Sequence, residues 1–319
     1  MEGLATARYR AKGFIPYFEG TVNFEDQPFE FDAEALVREI NPDTVIVTMS
    51  SPINIEDSIG LAANNFGIPL ITVSDYWGSL TRAKKCKADL MLAIDDADAD
   101  IARRHFIHTF DIAIVGNHAI QTLRKLAPSA EIKQKMAELK HHFGTIMLFA
   151  GGAVDYTTPE IKLLAECLKK TPGSWGLIKR YHPKHAERIT TDGRIYRAVW
   201  DAEFAEFGDR VMELPTKEAD AVASMADCTV SGFSTLMTSA VGSYRPVIAL
   251  ITPETIASLK AQTTLNRYPL STAGLVPEVA EPCDLTPLLR QKPEAELINS
   301  ILKPYDPALA LAEIEKLLK

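Results

Sequence analysis

Three short stretches hold side chains suited to gripping an anionic group. Ser231-Gly232-Phe233-Ser234, with Thr235 behind it, closes an apolar, β-branched segment and precedes a helix-compatible one. Gly232 permits a tight turn, and Ser234 or Thr235 can cap the helix. A helix start open to solvent binds anions, because its unpaired N–H groups and dipole point outward. An ordinary serine-capped turn uses the same residues, so this stretch alone fits both readings. Lys179, Arg180, His182, Lys184 and His185 gather in the run KRYHPKH. Pro183 fixes the turn, and an imidazole presented there can donate to a phosphate oxygen or protonate a leaving group. A solvated basic turn is the plainer alternative, but the pairing with the serine turn in one half of the chain favours function. Third, Gly151-Gly152 follows the apolar run 145–150 directly. Paired glycines there let a ligand approach the backbone.

The first half offers a different set. Asp75 stands one residue past an apolar strand, where a carboxylate can work as an acid or base; a turn-capping aspartate would stand there too. Ser50, Ser51, Asn54, Trp77, Asn117 and His118 fall at the ends of strands and are the candidate substrate-binding side chains. A lone histidine after a Gly-Asn turn, as His118 is, is more often structural than catalytic. Asp95, Asp96 and Asp98 have no context of a metal-binding acidic pair, and no metal or cofactor is expected.

Positioning these residues needs a particular scaffold. Apolar runs at 44–49, 69–74, 90–94 and 112–115 read as buried strands, with helices at 33–40, 56–66 and 98–105 between them. After 144 the pattern repeats: strands at 145–150, 175–180, 211–214, the segment before Ser231, and 247–251, with helices at 159–170, 217–225, 255–260 and 307–318. Short helices and strands are also expected at 4–12 and 14–18, with a loop over 23–31. Strand, helix, strand alternation with short links predicts an α/β fold of two Rossmann-like doubly wound domains, whose ligand side is the carboxyl edge of the strands. The expected division is an acceptor-side domain over 1–125, a linker or helix over 126–143 and a nucleotide-donor domain over 144–319. A doubly wound domain usually opens with a strand and a glycine-rich turn, and Met1 falls where its first helix would begin. Either that strand is missing or the sheet is built differently.

The 319 residues, 46% of them hydrophobic, suffice for two ordinary domains with a sizeable core. A net charge of −8 argues against general nucleic-acid binding while allowing a local basic pocket. Cys86, Cys167, Cys228 and Cys283 form no CxxC pair, so no zinc site or disulfide framework is signalled, and thiols in a reducing cytoplasm are expected. No apolar run reaches membrane-spanning length, and no signal-peptide segment opens the chain.

The order strand–GG, KRYHP and ADCTVSGFSTLMTSAVGSYRPVIAL resembles the second domain of GT-B glycosyltransferases. The nearest patterns are those of CDP-glycerol glycerophosphotransferases, capsule-type sialic acid and Kdo transferases, and the related UDP-N-acetylglucosamine 2-epimerases. SSPINIEDSIGLAANNFGIPLITVSDYW and the closing Val115-Gly116-Asn117 are similar to the first domain of such proteins. The resemblance implies two domains facing across a cleft. It implies that His182 contacts or protonates phosphates, that Ser231, Ser234 and Thr235 bind phosphate, and that Gly151-Gly152 line the donor. Asp75 becomes the acid–base candidate of the first domain. The chain departs from the pattern at Ser239, where many relatives carry an acidic residue for ribose hydroxyls, and at Tyr244, where glycine is usual. The opening glycine loop and a GTRPE-like epimerase segment are absent. The implied activity is metal-independent transfer of a sugar or polyol phosphate from a nucleotide-activated donor to a glycan or lipid-linked acceptor. Nucleotide-sugar epimerisation or hydrolysis, and a non-catalytic binding subunit, are the alternatives, with a homo-oligomer or a partner subunit left open.

Overall fold

The computed structural model describes residues 32–48, 55–79, 86–105, 110–152, 157–182, 189–190 and 193–319. The elements expected over 4–31, the question of an opening strand, and the candidates Ser50, Ser51, Asn54, Lys184 and His185 lie outside the described residues. The chain divides into two compact units, Met1–Gly116 with Asp306–Lys319, and Asn117–Tyr305. Together they make a two-domain, Rossmann-like α/β architecture of two parallel sheets with interleaved helices.

In the first unit, α1 (Ala33–Ile40) starts where the Asp32 carboxylate accepts from Ala35 N at 2.8 Å, and ends where Asn41 turns left-handed. Strands β1 (Val45–Thr48), β2 (Leu70–Val73), β3 (Leu90–Ala93) and β4 (Asp111–Ile114) pair in parallel in the order 1-2-3-4. Helices α2 (Ile55–Asn65) and α3 (Asp96–His105) connect them. β3 reads LMLA and is buried along its whole length, as a parallel strand covered on both faces must be. The C-terminal helix Pro307–Leu317 returns to pack against β3.

The second unit begins with α4 (His118–Leu123) and α5 (Ala130–Phe143). The sequence reading put one boundary over 126–143; the units instead part at 116/117 and again at 305/306. α5 packs on the strands it precedes, burying Ile132, Met136 and Phe143. Its lysine-rich outer face is what makes it look like a linker in sequence. The strands are β5 (Thr145–Ala150), β6 (Trp175–Arg180), β7 (Val211–Glu213), β8 (Cys228–Ser231), β9 (Val247–Leu250) and β10 (Glu278–Val279). Helices α6 (Thr157–Lys170), α7 (Tyr196–Phe204), α8 (Ala219–Met225), α9 (Thr235–Gly242) and α10 (Pro253–Thr263) follow in turn. α7 has no side-chain cap at Ile195, so sequence gives it no start signal; it is held by its stripe of Tyr196, Val199, Trp200 and Phe204. All six strands are parallel, in the order 10-9-8-5-6-7.

Candidate functional site

The strand order of the second unit fixes where a ligand can enter. From β5 the chain winds outward through β6 and β7, then returns to the other side of β5 and winds outward through β8, β9 and β10. The order therefore reverses between β5 and β8, and in open α/β sheets that reversal leaves a crevice at the carboxyl ends of the strands. Gly151-Gly152 leaves β5 at this crevice and Ser231-Gly232-Phe233-Ser234 leaves β8 there. His182 follows β6 by two residues. Because β5 alone separates β6 from β8, the His182 turn and the tip of α9 lie about two strand spacings apart, about 10 Å, on the same edge.

Within the serine turn the side chains divide. The Ser231 hydroxyl, wholly buried, donates to Ala150 O at 2.5 Å, so its one proton ties β8 to β5 and does not face a ligand. Ser234 is the N-cap of α9 and accepts from Leu236 N at 3.3 Å; it is half-buried, and Thr235 is exposed. Gly232 lacks a side chain because a Cβ there would overlap Oε1 and Cδ of Glu160. Gly151 has the same kind of reason: its Cβ would overlap the six-membered ring of Trp200. Both glycines make room for internal side chains; the sequence reads Gly151 as allowing ligand approach and Gly232 as a tight turn. Gly152 is buried beside Gly151. A hollow of ≈ 130 Å³ adjoins the turn on its β9 side, lined by Phe233, Thr255, Arg267, Tyr268 and Glu278 among others. It is too small for a nucleotide, which needs roughly 300 Å³ or more.

The basic strand end also splits, by strand alternation. Lys179 points to the α7 side, where it pairs with Asp201 and stands 3.6 Å from Glu213. Its ammonium is spent on these carboxylates. Arg180 points the other way, donating from Nη1 to Thr216 O at 2.9 Å. Burial lowers its pKa, and the Asp220 carboxylate partly offsets this. Tyr181 shares the Lys179 face and stacks on Trp200, ring centroids 4.4 Å apart. His182 is half-buried, two residues past the carboxyl end of β6.

In the first unit the β2 turn is clamped from below. Trp77 is 1% exposed and donates its indole N–H to Asp95 Oδ2 at 2.8 Å. Asp98, fully buried, accepts from Gly78 N at 3.1 Å and Ile94 N at 3.4 Å. Burial raises the pKa of both carboxyls, that of Asp98 to about 6, against hydrogen bonds that favour the charge. Trp77 is thus a structural anchor, with its donor used internally, while Asp75 is exposed at the head of the clamped turn. Asn117 is buried and caps α4, accepting from Ala119 N at 2.8 Å, while its backbone N–H donates to Lys303 O. His118 is exposed, its ring 6.1 Å from that of Tyr305.

Two residues at the crevice escaped the sequence reading. Ser239 donates to Asp220 Oδ1 at 2.7 Å, so a carboxylate from the first turn of α8 stands at the position where α9 itself carries none. Only the register of α8 against α9 reveals it. Glu160 looks in sequence like any acidic residue of a helix's first turn, yet it is completely buried. Tyr244 has φ +59°, left-handed, which accounts for glycine being usual there. Its hydroxyl donates to Asn299 Oδ1 at 3.1 Å.

No family model matches the chain, and no curated protein does. Solved structures do. S. aureus MnaA, in a structure with UDP, superposes with a TM-score of 0.60 at 16% identity over 89% of this chain and 77% of that one. A UDP-N-acetylglucosamine 2-epimerase gives 0.54 at 17% identity over 90% and 74%. A glycosyltransferase from Rickettsia africae ESF-5 gives 0.51 at 12% identity over 90% and 78%. With two parallel Rossmann-like sheets and these neighbours, the chain has a GT-B-type fold.

Proposed function

We propose that this protein binds a nucleotide-activated sugar or polyol phosphate in the Asn117–Tyr305 unit and transfers the activated group to a glycan or lipid-linked acceptor, as in surface polysaccharide or glycoconjugate synthesis. The observation that supports this most is the tip of α9 at the strand-order reversal, with half-buried Ser234 and exposed Thr235 at its start and the His182 turn about 10 Å across the same edge. That spacing suits a diphosphate. As the bond between the transferred group and the diphosphate breaks, negative charge grows on the leaving oxygen. The positive end of the α9 dipole, the Thr235 hydroxyl and the imidazole of His182 stabilise it without a metal ion. Arg180 adds positive charge near the β6 end. Asp75 is the proposed base that takes the acceptor's proton.

A second reading is epimerisation of a nucleotide sugar, favoured by the TM-scores of 0.60 and 0.54 to MnaA and the 2-epimerase. Thermal shifts with CMP, CDP, UDP and GDP test donor binding: a ligand at 100 times its Kd adds about 2.7 kcal/mol of stability. Incubation with the matching nucleotide sugar, with product analysis, separates transfer, epimerisation and hydrolysis. His182→Ala is expected to abolish turnover with the melting temperature retained; unchanged turnover removes His182 from the chemistry. No shift with any of the four nucleotides overturns the reading.

A further inference from the structure

Glu160 is an anomaly on chemical grounds. A carboxyl group with no exposure needs either a cation or a full set of hydrogen bonds. It has one donor from Thr255, whose hydroxyl lies 2.8 Å from Oε1, and one from the Gly232 backbone N–H. Among the described residues Oε2 has no hydrogen-bond partner. Burial outweighs the two donors and lifts the pKa to about 8. A leucine or methionine would fill such a place in the core at less cost.

The geometry suggests what the acid does. Gly232 is the pivot of the serine turn, and the carboxyl occupies the volume that its side chain would take. Thr255 lies in the first turn of α10, where Thr252 caps the helix by accepting from Thr255 N at 3.1 Å. Glu160 itself belongs to the first turn of α6, the helix entered from Gly151-Gly152. One carboxyl therefore joins the starts of the helices that follow β5 and β9 to the turn that follows β8. We propose that Glu160 is the positioning residue of the phosphate-gripping turn, holding Gly232, and with it the tip of α9, against the first turns of α6 and α10. The proposal rests on the nucleotide reading above and goes beyond it by assigning the set of that turn to a residue that touches no ligand.

The test uses the full chain as wild type, Glu160→Gln, Glu160→Ala, Gly232→Ala and the Glu160→Ala/Gly232→Ala double variant. Affinity for UDP and CDP is read by calorimetry, and stability by melting temperature. The carboxamide of Glu160→Gln has the acid's shape and keeps an acceptor for Thr255 and Gly232, so it is expected to bind the nucleotide within about threefold of wild type. Glu160→Ala frees the turn, and affinity is expected to fall about tenfold, the scale of a lost hydrogen bond or two. Gly232→Ala drives a methyl into the carboxyl and lowers the melting temperature, and it is expected to cost distinctly less in the Glu160→Ala background. Equal nucleotide affinity in wild type and Glu160→Ala overturns the proposal, as does an equal cost of Gly232→Ala in both backgrounds. If neither nucleotide binds wild type, the nucleotide reading fails, whereas the melting-temperature cycle still decides whether Glu160 sets the turn.

Discussion

Asp98 makes the first unit's clamp sensitive to pH in a direction opposite to that of most carboxylates. Its pKa rises from 3.8 to about 6 because burial disfavours the charge more than the Gly78, Ile94 and Ser74 hydrogen bonds favour it. Below about pH 4 the group is protonated in both the folded and the unfolded chain, and its contribution to stability is fully present. As pH rises, the unfolded chain releases the proton first, so folding is progressively penalised until the folded group also ionises near pH 6. A shift of about two units at about 1.4 kcal/mol each gives roughly 3 kcal/mol lost across that window. Asp98→Asn has no proton to release. One altered hydrogen bond costs it a pH-independent amount of about 1 kcal/mol, and it lacks this slope. Asp95 is shifted in the same direction and is present in both proteins, and its charge is one of the smaller contributions to the Asp98 shift. Hydrogen exchange of peptides spanning β2 and β3, corrected for intrinsic rates, reports the local opening free energy. The wild type minus Asn difference is expected to fall by about 2 kcal/mol between pH 4 and pH 6.5, most of the full change. Profiles parallel to within about 0.5 kcal/mol would show that Asp98 is ionised throughout, and the account of the clamp would be wrong.

Gly151→Ala places a methyl in the Trp200 ring and is expected to cost about 1–3 kcal/mol of stability, seen as a fall in melting temperature. Unaltered melting with weakened nucleotide binding would mean instead that this glycine serves the ligand. Lys179→Met, which removes a cation already paired with Asp201 and close to Glu213, is expected to leave UDP affinity within about twofold, since such partly exposed pairs are worth about 1 kcal/mol and face α7; a tenfold loss by calorimetry would place Lys179 in the site. Asp220→Asn is expected to weaken UDP binding about tenfold and 2′-deoxy-UDP binding less, if the carboxylate beside Ser239 accepts from ribose; equal losses would refute that role. Turnover with excess EDTA is expected to match turnover with added magnesium, measured by product formation.

The scaffold was legible because parallel strands buried on both faces write themselves as continuous apolar runs. TIMLFA and WGLIKR were placed residue for residue at β5 and β6, and the Ser234 cap of α9 followed from one side chain and its neighbours. The site was less legible, for a consistent reason. A sequence shows that a glycine is present but not what occupies the space beside it: Gly151 reads as room for a ligand and Gly232 as a tight turn, and Trp200 and Glu160 lie where their side chains would be. It shows that Lys179 and Arg180 are adjacent but not that strand alternation sends them to opposite faces, one to Asp201 and the other to Thr216 O. Trp77 and Asn117 stand at strand ends, as substrate-binding side chains do, yet the Trp77 indole N–H goes to Asp95 and the Asn117 carbonyl oxygen caps α4. What separates a gripping residue from a supporting one is whether its last donor or acceptor is already taken, and that depends on partners 18 or more positions away, as with Trp77 and Asp95, or 81 away, as with Ser231 and Ala150. By this criterion the serine turn reduces to half-buried Ser234 and exposed Thr235, since Leu236 N–H donates to the Ser234 hydroxyl and Met237 N–H to Ser234 O, and Glu160 lies beneath them. A phosphate held there meets the positive end of α9 as well as the two hydroxyls, so side-chain substitution at Ser234 alone should weaken it less than a change that moves the turn.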